Sequence, residues 1–189
     1  MTKSILSPKN DFVFKLLFGE AENCKATTGL LSSVLKIDPE QLSDLSFLNP
    51  FLYQDSEKGK EGILDVKVKT KTAEIIDIEM QILKVPDLPE RIFFYKSKLV
   101  LEQIGRGNDY SVIKKVYNII ITDHIYVKEN PFYHNRFFDY NPDYATPFKK
   151  VSETHILELP KLPKKSDGAL LWSWLKFFKV DSEEDLNMV

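Results

Sequence analysis

The sequence predicts a mixed α/β fold, and three observations carry that prediction. ILDVKVK (63–69) and EIIDIEMQI (74–82) both alternate between apolar and polar residues, the period of a strand with one buried face. VYNIIITD (116–123) is a continuous apolar run, short enough for a strand buried on both faces. A helical pattern, ERIFFYKSKLVLEQI (90–104), lies between the two, and a strand, helix, strand order implies a crossover rather than a hairpin.

Taken in chain order, residues 8–18 (PKNDFVFKLLF) open with Pro8 and the capping residues Asn10 or Asp11. Phe14, Leu17 and Phe18 follow at helical spacing, and Gly19 ends the segment. Asp11 and Lys15 share a face one turn apart. Residues 23–36 predict a second helix with Leu30, Leu31, Val34 and Leu35 inward, interrupted by Ile37, Asp38 and Pro39. DLSFLNPFLY reads as a short strand and turn. The two alternating segments are joined by TKTA and predict a β-hairpin. Pro86 and Pro89 precede the helix of about four turns that ends near Gly105 and Gly107, with Arg91, Tyr95, Lys98 and Glu102 as a polar stripe. Residues 124–151 are rich in aromatics, Asn and Pro without a clear period and predict a structured loop with short elements. His124 and His134, beside the HNRF segment, are read as ordinary loop histidines. THILELP predicts one more strand, KLPKKSDG a turn or linker, and ALLWSWLKFFKV an apolar helix.

Composition narrows the function classes. A chain of 189 residues with 43% hydrophobic and 12% aromatic residues can bury the core of one ordinary domain. The 28 acidic and 26 basic residues nearly cancel to a net charge of -2, so any nucleic-acid contact must come from a local basic patch rather than a global field. The single cysteine, Cys24, cannot form an intramolecular disulfide and has no His or Cys partner nearby for zinc or nucleophilic chemistry. The opening MTKSILSPKN has no secretory apolar region, which points to a reducing, cytoplasmic setting. No apolar run approaches the roughly 18–20 residues that a bilayer-spanning helix needs.

The hairpin carries the chemistry. Leu64, Val66 and Val68 are expected on one face of the first strand with Ile76, Ile78 and Met80 of the second. Asp65, Lys67 and Lys69 then share the other face with Asp77, Glu79 and Gln81. Face matching restricts the register to Asp65 opposite Glu79 or Asp65 opposite Asp77, because a one-residue slip would turn the polar face into the core. Both registers bring Asp65 and Glu79 within reach of a common cation. Clustered carboxylates repel unless a cation or protons neutralise them, and such a pair with water and a phosphate oxygen suits Mg²⁺, with Mn²⁺ as an alternative. Asp77 is read chiefly as a hairpin residue paired with Lys67, with a third ligand as the alternative. Against all of this stands the reading of two acids on an ordinary solvated strand face.

ILDVKVKT followed by IDIEMQ resembles the D…ExK core of PD-(D/E)XK nucleases, in the D…ExQ form of the Rpn-type recombination-promoting nucleases. KNDFVFKLLFG resembles that family's amino-terminal helix, RIFFY its post-hairpin R…Y helix and HILELPKL a later strand, so the resemblance covers roughly residues 8–165. It implies a restriction-endonuclease-like core, a mixed sheet flanked by helices, over residues 1–160. Residues 161–189 are then a linker and C-terminal helix, with a truncated extension as one reading. It further implies a Mg²⁺-dependent endonuclease linked to DNA recombination or mobile elements, with Asp65 and Glu79 as metal ligands and Asp11 as a helix-borne acid of the site. Gln81 stands at the catalytic lysine position. A Gln amide supplies hydrogen bonds but no charge, and Lys67, on the Asp65 face, is the candidate displaced cation. Arg91, Tyr95 and Lys98 are expected to contact the DNA backbone. The rival reading is a catalytically silent DNA-binding or interaction module on the same fold. Trp172, Trp174, Phe177 and Phe178 either close the core or form a homodimer interface.

Overall fold

The structure, a computed structural model, describes residues 6–52, 62–144, 146–148 and 151–186. Helix α1 (Asp11–Phe18) starts where the Asn10 side chain accepts hydrogen bonds from the Phe12 and Val13 amides, and helix α2 is Cys24–Leu35. Lys36 follows in the left-handed conformation, the usual exit before a segment that cannot continue a helix. Strand β1 (Ser46–Phe47) lies against the predicted hairpin, formed by β2 (Val66–Lys69) and β3 (Ile75–Gln81). Helix α3 (Leu88–Leu101) leads to β4 (Val116–Thr122). Then come β5 (His134–Phe137), a small ribbon of β6 (Tyr140–Asn141) with β7 (Thr146–Pro147), β8 (Ser152–Glu158), and helices α4 (Leu170–Phe178) and α5 (Glu183–Leu186).

Among the described residues six strands form one mixed sheet in the order β1-β2-β3-β4-β8-β5. β3, β4 and β8 run parallel, and the β3–α3–β4 connection is the predicted crossover. The hairpin register pairs Val66 with Ile78 and Lys67 with Asp77, which places Asp65 level with Glu79. β5 lies antiparallel to β8 at the sheet edge. It falls within the segment read as an aperiodic loop: a short edge strand is specified by its neighbour's open ladder, which leaves no period in its own sequence. His134 Nε2 lies 2.9 Å from His155 Nδ1 on that neighbour, a pairing across two separated segments.

Helices cover both sheet faces, a three-layer arrangement. α1, α2 and α4 pack on one face, where Phe14, Phe18, Leu30, Leu31 and Phe178 join Val66, Val68, Ile76, Ile78, Ile119 and Ile121 in one core. α3 covers the other face through Leu99, packed with Ile75 and Val116, and through Leu88 and Ile92, packed with Ile120. Leu64 was expected beside Val66 and Val68 but packs with Ile75 and Leu99 under α3, because the chain bends at Asp65 before β2 begins. The tail aromatics close the core: Phe178 is fully buried and Trp172 nearly so. Trp174 lies so close to α2 that a Cβ on Gly29 would come 2.9 Å from its ring. No described helix is long and apolar enough to cross a membrane.

The Phe178 ring stands 5.9 Å from Phe14 and 5.5 Å from Phe18 at their centroids. Phe178→Ala should therefore destabilise the chain by about 3–5 kcal/mol in urea denaturation. An unchanged midpoint would mean that α4 does not carry the core.

Candidate active site

The polar face of the hairpin is not solvated. Glu79, Gln81 and Lys67 are buried and Asp77 is wholly so, because α3 lies over them. Burying charge is costly unless each group is paired, so the partners on this face decide what it can do.

The bend at Asp65 brings its carboxylate to the point where the helical layers of the two faces meet. Asp65 Oδ2 accepts from the Met80 amide at 2.9 Å, and the Asp65 amide donates to Glu79 Oε1 at 3.0 Å. From α1, Lys15 Nζ reaches Asp65 Oδ1 at 3.6 Å while holding Asp11 Oδ1 at 2.7 Å. From α3, Arg91 Nη2 donates to Glu79 Oε2 at 2.9 Å and Nη1 to Gln81 Oε1 at 3.3 Å. Tyr95, one turn further along α3, lies under the Arg91 guanidinium, 5.2 Å from it to the ring centroid.

The structure thus brings Asp65, Glu79, Gln81, Arg91 and Tyr95 together. Asp11 is exposed and binds Lys15, which reaches on to Asp65. Lys67 goes elsewhere: its Nζ binds Glu102 Oε2 at 2.5 Å, one end of α3 having reached down to neutralise it. Lys98, a turn before Glu102, lies 5.8 Å from the Phe94 ring centroid. Gln81 Nε2 donates to the Leu83 carbonyl at 2.5 Å, so both ends of its amide are engaged.

Sequence reasoning passed over Lys15 and Asn118. Lys15 was visible only as a helical neighbour of Asp11, since its approach to Asp65 crosses from one element to another. Asn118 left a signal, a lone amide in an otherwise apolar strand, which demands a buried partner. That partner is Asp77, whose Oδ2 accepts from Asn118 Nδ2 at 2.9 Å. Asp77 stands opposite Lys67 in the register but does not take its ammonium, which Glu102 holds.

The carboxylates resist ionisation. Burial, reinforced by the charges of Asp77 and Asp65, holds Glu79 well above the usual carboxylate range despite Arg91. Burial also raises Asp65, against the pull of the Met80 amide and Lys15. Asp77 is pushed up to about 7, by burial first and then by the nearby Asp65 charge. On Lys15 burial acts downward, but Asp11 and Asp65 outweigh it and the ammonium is held above its ordinary range.

Three crowded carboxyl groups answered by Lys15 and Arg91 make a site short of positive charge. A hard divalent cation fits the donor set, which is all oxygen, and would relieve the same repulsion that raises these groups. Asp65 and Glu79 are the side chains that would hold it. Among the described residues no three His, Cys, Asp or Glu side chains form a ready metal cage, so further ligands would be water and a phosphate.

Asp77 Oδ1 and Asn118 Oδ1 are both buried without a hydrogen-bond partner among the described residues. A proton on Asp77 would let it donate, and Asp77→Asn mimics that neutral form. A carboxyl that titrates at about 7 when folded and about 4 when unfolded binds more protons in the native state. Its penalty is absent below about pH 4 and complete above about pH 7, so native stability falls across that window. In EDTA, Asp77→Asn should remove this part of the decline and leave the variant at least as stable as wild type at pH 8. Denaturation midpoints at pH 5 and pH 8 measure it, and a variant weakened equally at both would contradict the assignment.

A family model described as PD-(D/E)XK nuclease family transposase matches residues 8–189. No match was found among curated proteins or among solved structures. The six-stranded mixed sheet with helices on both faces is consistent with a restriction-endonuclease-like core, and with the family match over nearly the whole sequence the chain belongs to the PD-(D/E)XK nuclease family transposases.

Proposed function

We propose that this chain is a divalent-metal-dependent DNA endonuclease that hydrolyses phosphodiester bonds at Asp65 and Glu79. The observation that carries the reading is the level placement of the half-buried Asp65 carboxyl group, at a strand bend, beside the buried carboxyl group of Glu79, each met by a cation from a different helical layer. A solvated strand face would leave them in water and need neither Lys15 nor Arg91.

Bound between Asp65 and Glu79, Mg²⁺ or Mn²⁺ would polarise the scissile phosphate and lower the pKa of an attacking water. The chain's own residues supply the rest. Glu79 fixes Arg91, whose guanidinium is partly exposed and able to contact a phosphate oxygen as charge builds on it. Gln81 holds Arg91 from a second side and, through Leu83, holds the turn that leaves β3. The charge that a lysine would bring to the Gln81 position falls to Lys15, on the other side of Asp65. Asp11 orients Lys15 rather than reaching the reacting atoms itself. Tyr95 supports the Arg91 plane, and Lys98 extends the basic side of α3. Hydrolysis adds water across the diester: the new P–O bond forms, one P–O ester bond breaks, and the departing alcohol oxygen takes a proton. DNA is the substrate the family suggests, and a role in recombination or mobile elements is proposed on the same membership.

A catalytically silent DNA-binding module is the second reading, favoured by the engaged amide of Gln81 and by Arg91 sitting on Glu79. Nicking of supercoiled plasmid separates the two. Wild type should nick in Mg²⁺ or Mn²⁺ and not in EDTA, and Asp65→Ala and Glu79→Ala should each lose on the order of a hundredfold or more. No nicking by folded wild type, or equal nicking by the variants, would favour the silent module. Lys15→Ala should slow nicking more than Lys15→Arg, which keeps the charge. Equal rates for these two would remove Lys15 from the site.

A further inference from the structure

We infer that a second basic surface, separate from the carboxylates, carries the phosphodiester backbone of duplex DNA toward them. It is the concavity lined by Lys84, Ile125, Lys128, Asn130, Pro131 and Lys161. This inference rests on the nuclease reading above and assigns the substrate path that the reading leaves open.

Its place in the fold is the first argument. Lys84 follows the end of β3, Lys128 follows β4 and Lys161 follows β8, and these three adjacent strands run parallel. All three lysines therefore stand at the carboxyl edge of the sheet, the edge on which Glu79 and Gln81 also lie near the end of β3. Adjacent strands are about 4.8 Å apart, so β3 to β8 spans about 10 Å. Over that length of helix axis one strand of a duplex presents about three phosphates.

Charge is the second. The lining holds three lysines and no carboxylate, in a chain whose net charge is -2; Glu158 behind the lining neutralises Lys161, which leaves Lys84 and Lys128 to meet phosphate. Lys84 and Lys128 are exposed and make no ion pair among the described residues. Such ammonium groups release counterions from DNA when they neutralise phosphates. Ile125 and Pro131 supply the apolar part of the lining.

Construction is the third. Glu158, fully buried, accepts from the Tyr126 amide at 2.5 Å, the Val127 amide at 2.9 Å and Asn135 Nδ2 at 3.0 Å, and binds Lys161 Nζ at 2.6 Å. Lys161 Nζ also donates to the Val127 carbonyl. The loop that carries Lys128 is thus fixed to the end of β8. On the other side, the Gln81 amide holds the Leu83 carbonyl, one residue before Lys84, while it accepts from Arg91. A continuous chain of hydrogen bonds runs from Glu79 through Arg91 and Gln81 to the turn bearing Lys84.

A rival concavity exists, lined by Lys67, Lys69 and Lys114 with Glu102. It lies at the opposite end of β3, beside Ala73 and Ile75, and Glu102 has already taken the Lys67 charge. It serves as the control.

The test is binding of a fluorescently labelled DNA duplex in EDTA, where nothing is cut, at salt concentrations from about 50 to 200 mM. Lys84→Gln combined with Lys128→Gln should lower affinity about tenfold or more and reduce the slope of log affinity against log salt by about 1.8, two phosphate contacts' worth. Lys69→Gln combined with Lys114→Gln should bind as wild type does. Wild-type affinity and slope in the Lys84 and Lys128 variant, or loss only in the control pair, would overturn the path while leaving the nuclease reading intact. Failure of wild type to bind any duplex would also overturn it, and plasmid nicking would then judge the nuclease reading separately.

Discussion

Burial of negative charge under α3 is the constraint on which the rest of the site depends. The polar face of the β2–β3 hairpin would be stable in water without further help. Once α3 covers it, Asp77 and Glu79 lose their solvation, and every neighbouring polar group is arranged in response. Asn118 is placed in the middle of an apolar strand to meet Asp77, Arg91 is aimed inward from α3 to meet Glu79, and Glu102 takes Lys67. The helix that creates the electrostatic problem supplies most of its solution.

The compensation is incomplete, and that incompleteness is chemically useful. Asp77 and Asn118 each retain a buried oxygen without a partner among the described residues, and the carboxyl groups of Asp65, Asp77 and Glu79 are all raised above their ordinary range. A purely structural ion-pair network would have lowered them. Groups perturbed in this direction and gathered around β3 are the feature on which the proposed cation site rests.

Gln81, which the resemblance read from the sequence sets at a lysine position, does more than leave out a charge. An amide can accept and donate at once, and Gln81 uses both ends, taking Arg91 on one side and holding the Leu83 carbonyl on the other. Positive charge reaches the carboxylates from two helices instead of from the strand. α1 therefore acts in two places at once, since Phe14 and Phe18 build the core while Lys15, on the same short helix, faces Asp65. Core packing and site geometry are coupled through one element.

Much of this was legible in the chain itself. Alternation from Asp65 to Lys69 and from Ile76 to Gln81 determined which residues share a face, and the cost of exposing Ile76 and Ile78 restricted the pairing to registers that bring Asp65 near Glu79. The apolar run of β4 determined a central strand, and the helix before it determined the parallel crossover. These are local or near-neighbour properties, written in period and spacing. Partner choice was decided only by the tertiary structure. Lys67 was paired in sequence with Asp77, and the descent of α3 gave it Glu102 instead; Lys15 had one visible neighbour, and the packing of α1 against the bend gave it a second in Asp65. β5 took its form from the open edge of β8, and Leu64 changed sides because of a bend that alternation does not record. Backbone periodicity constrains each segment alone, whereas ion pairs and edge ladders join residues far apart in the chain and are settled by which surfaces the core brings together.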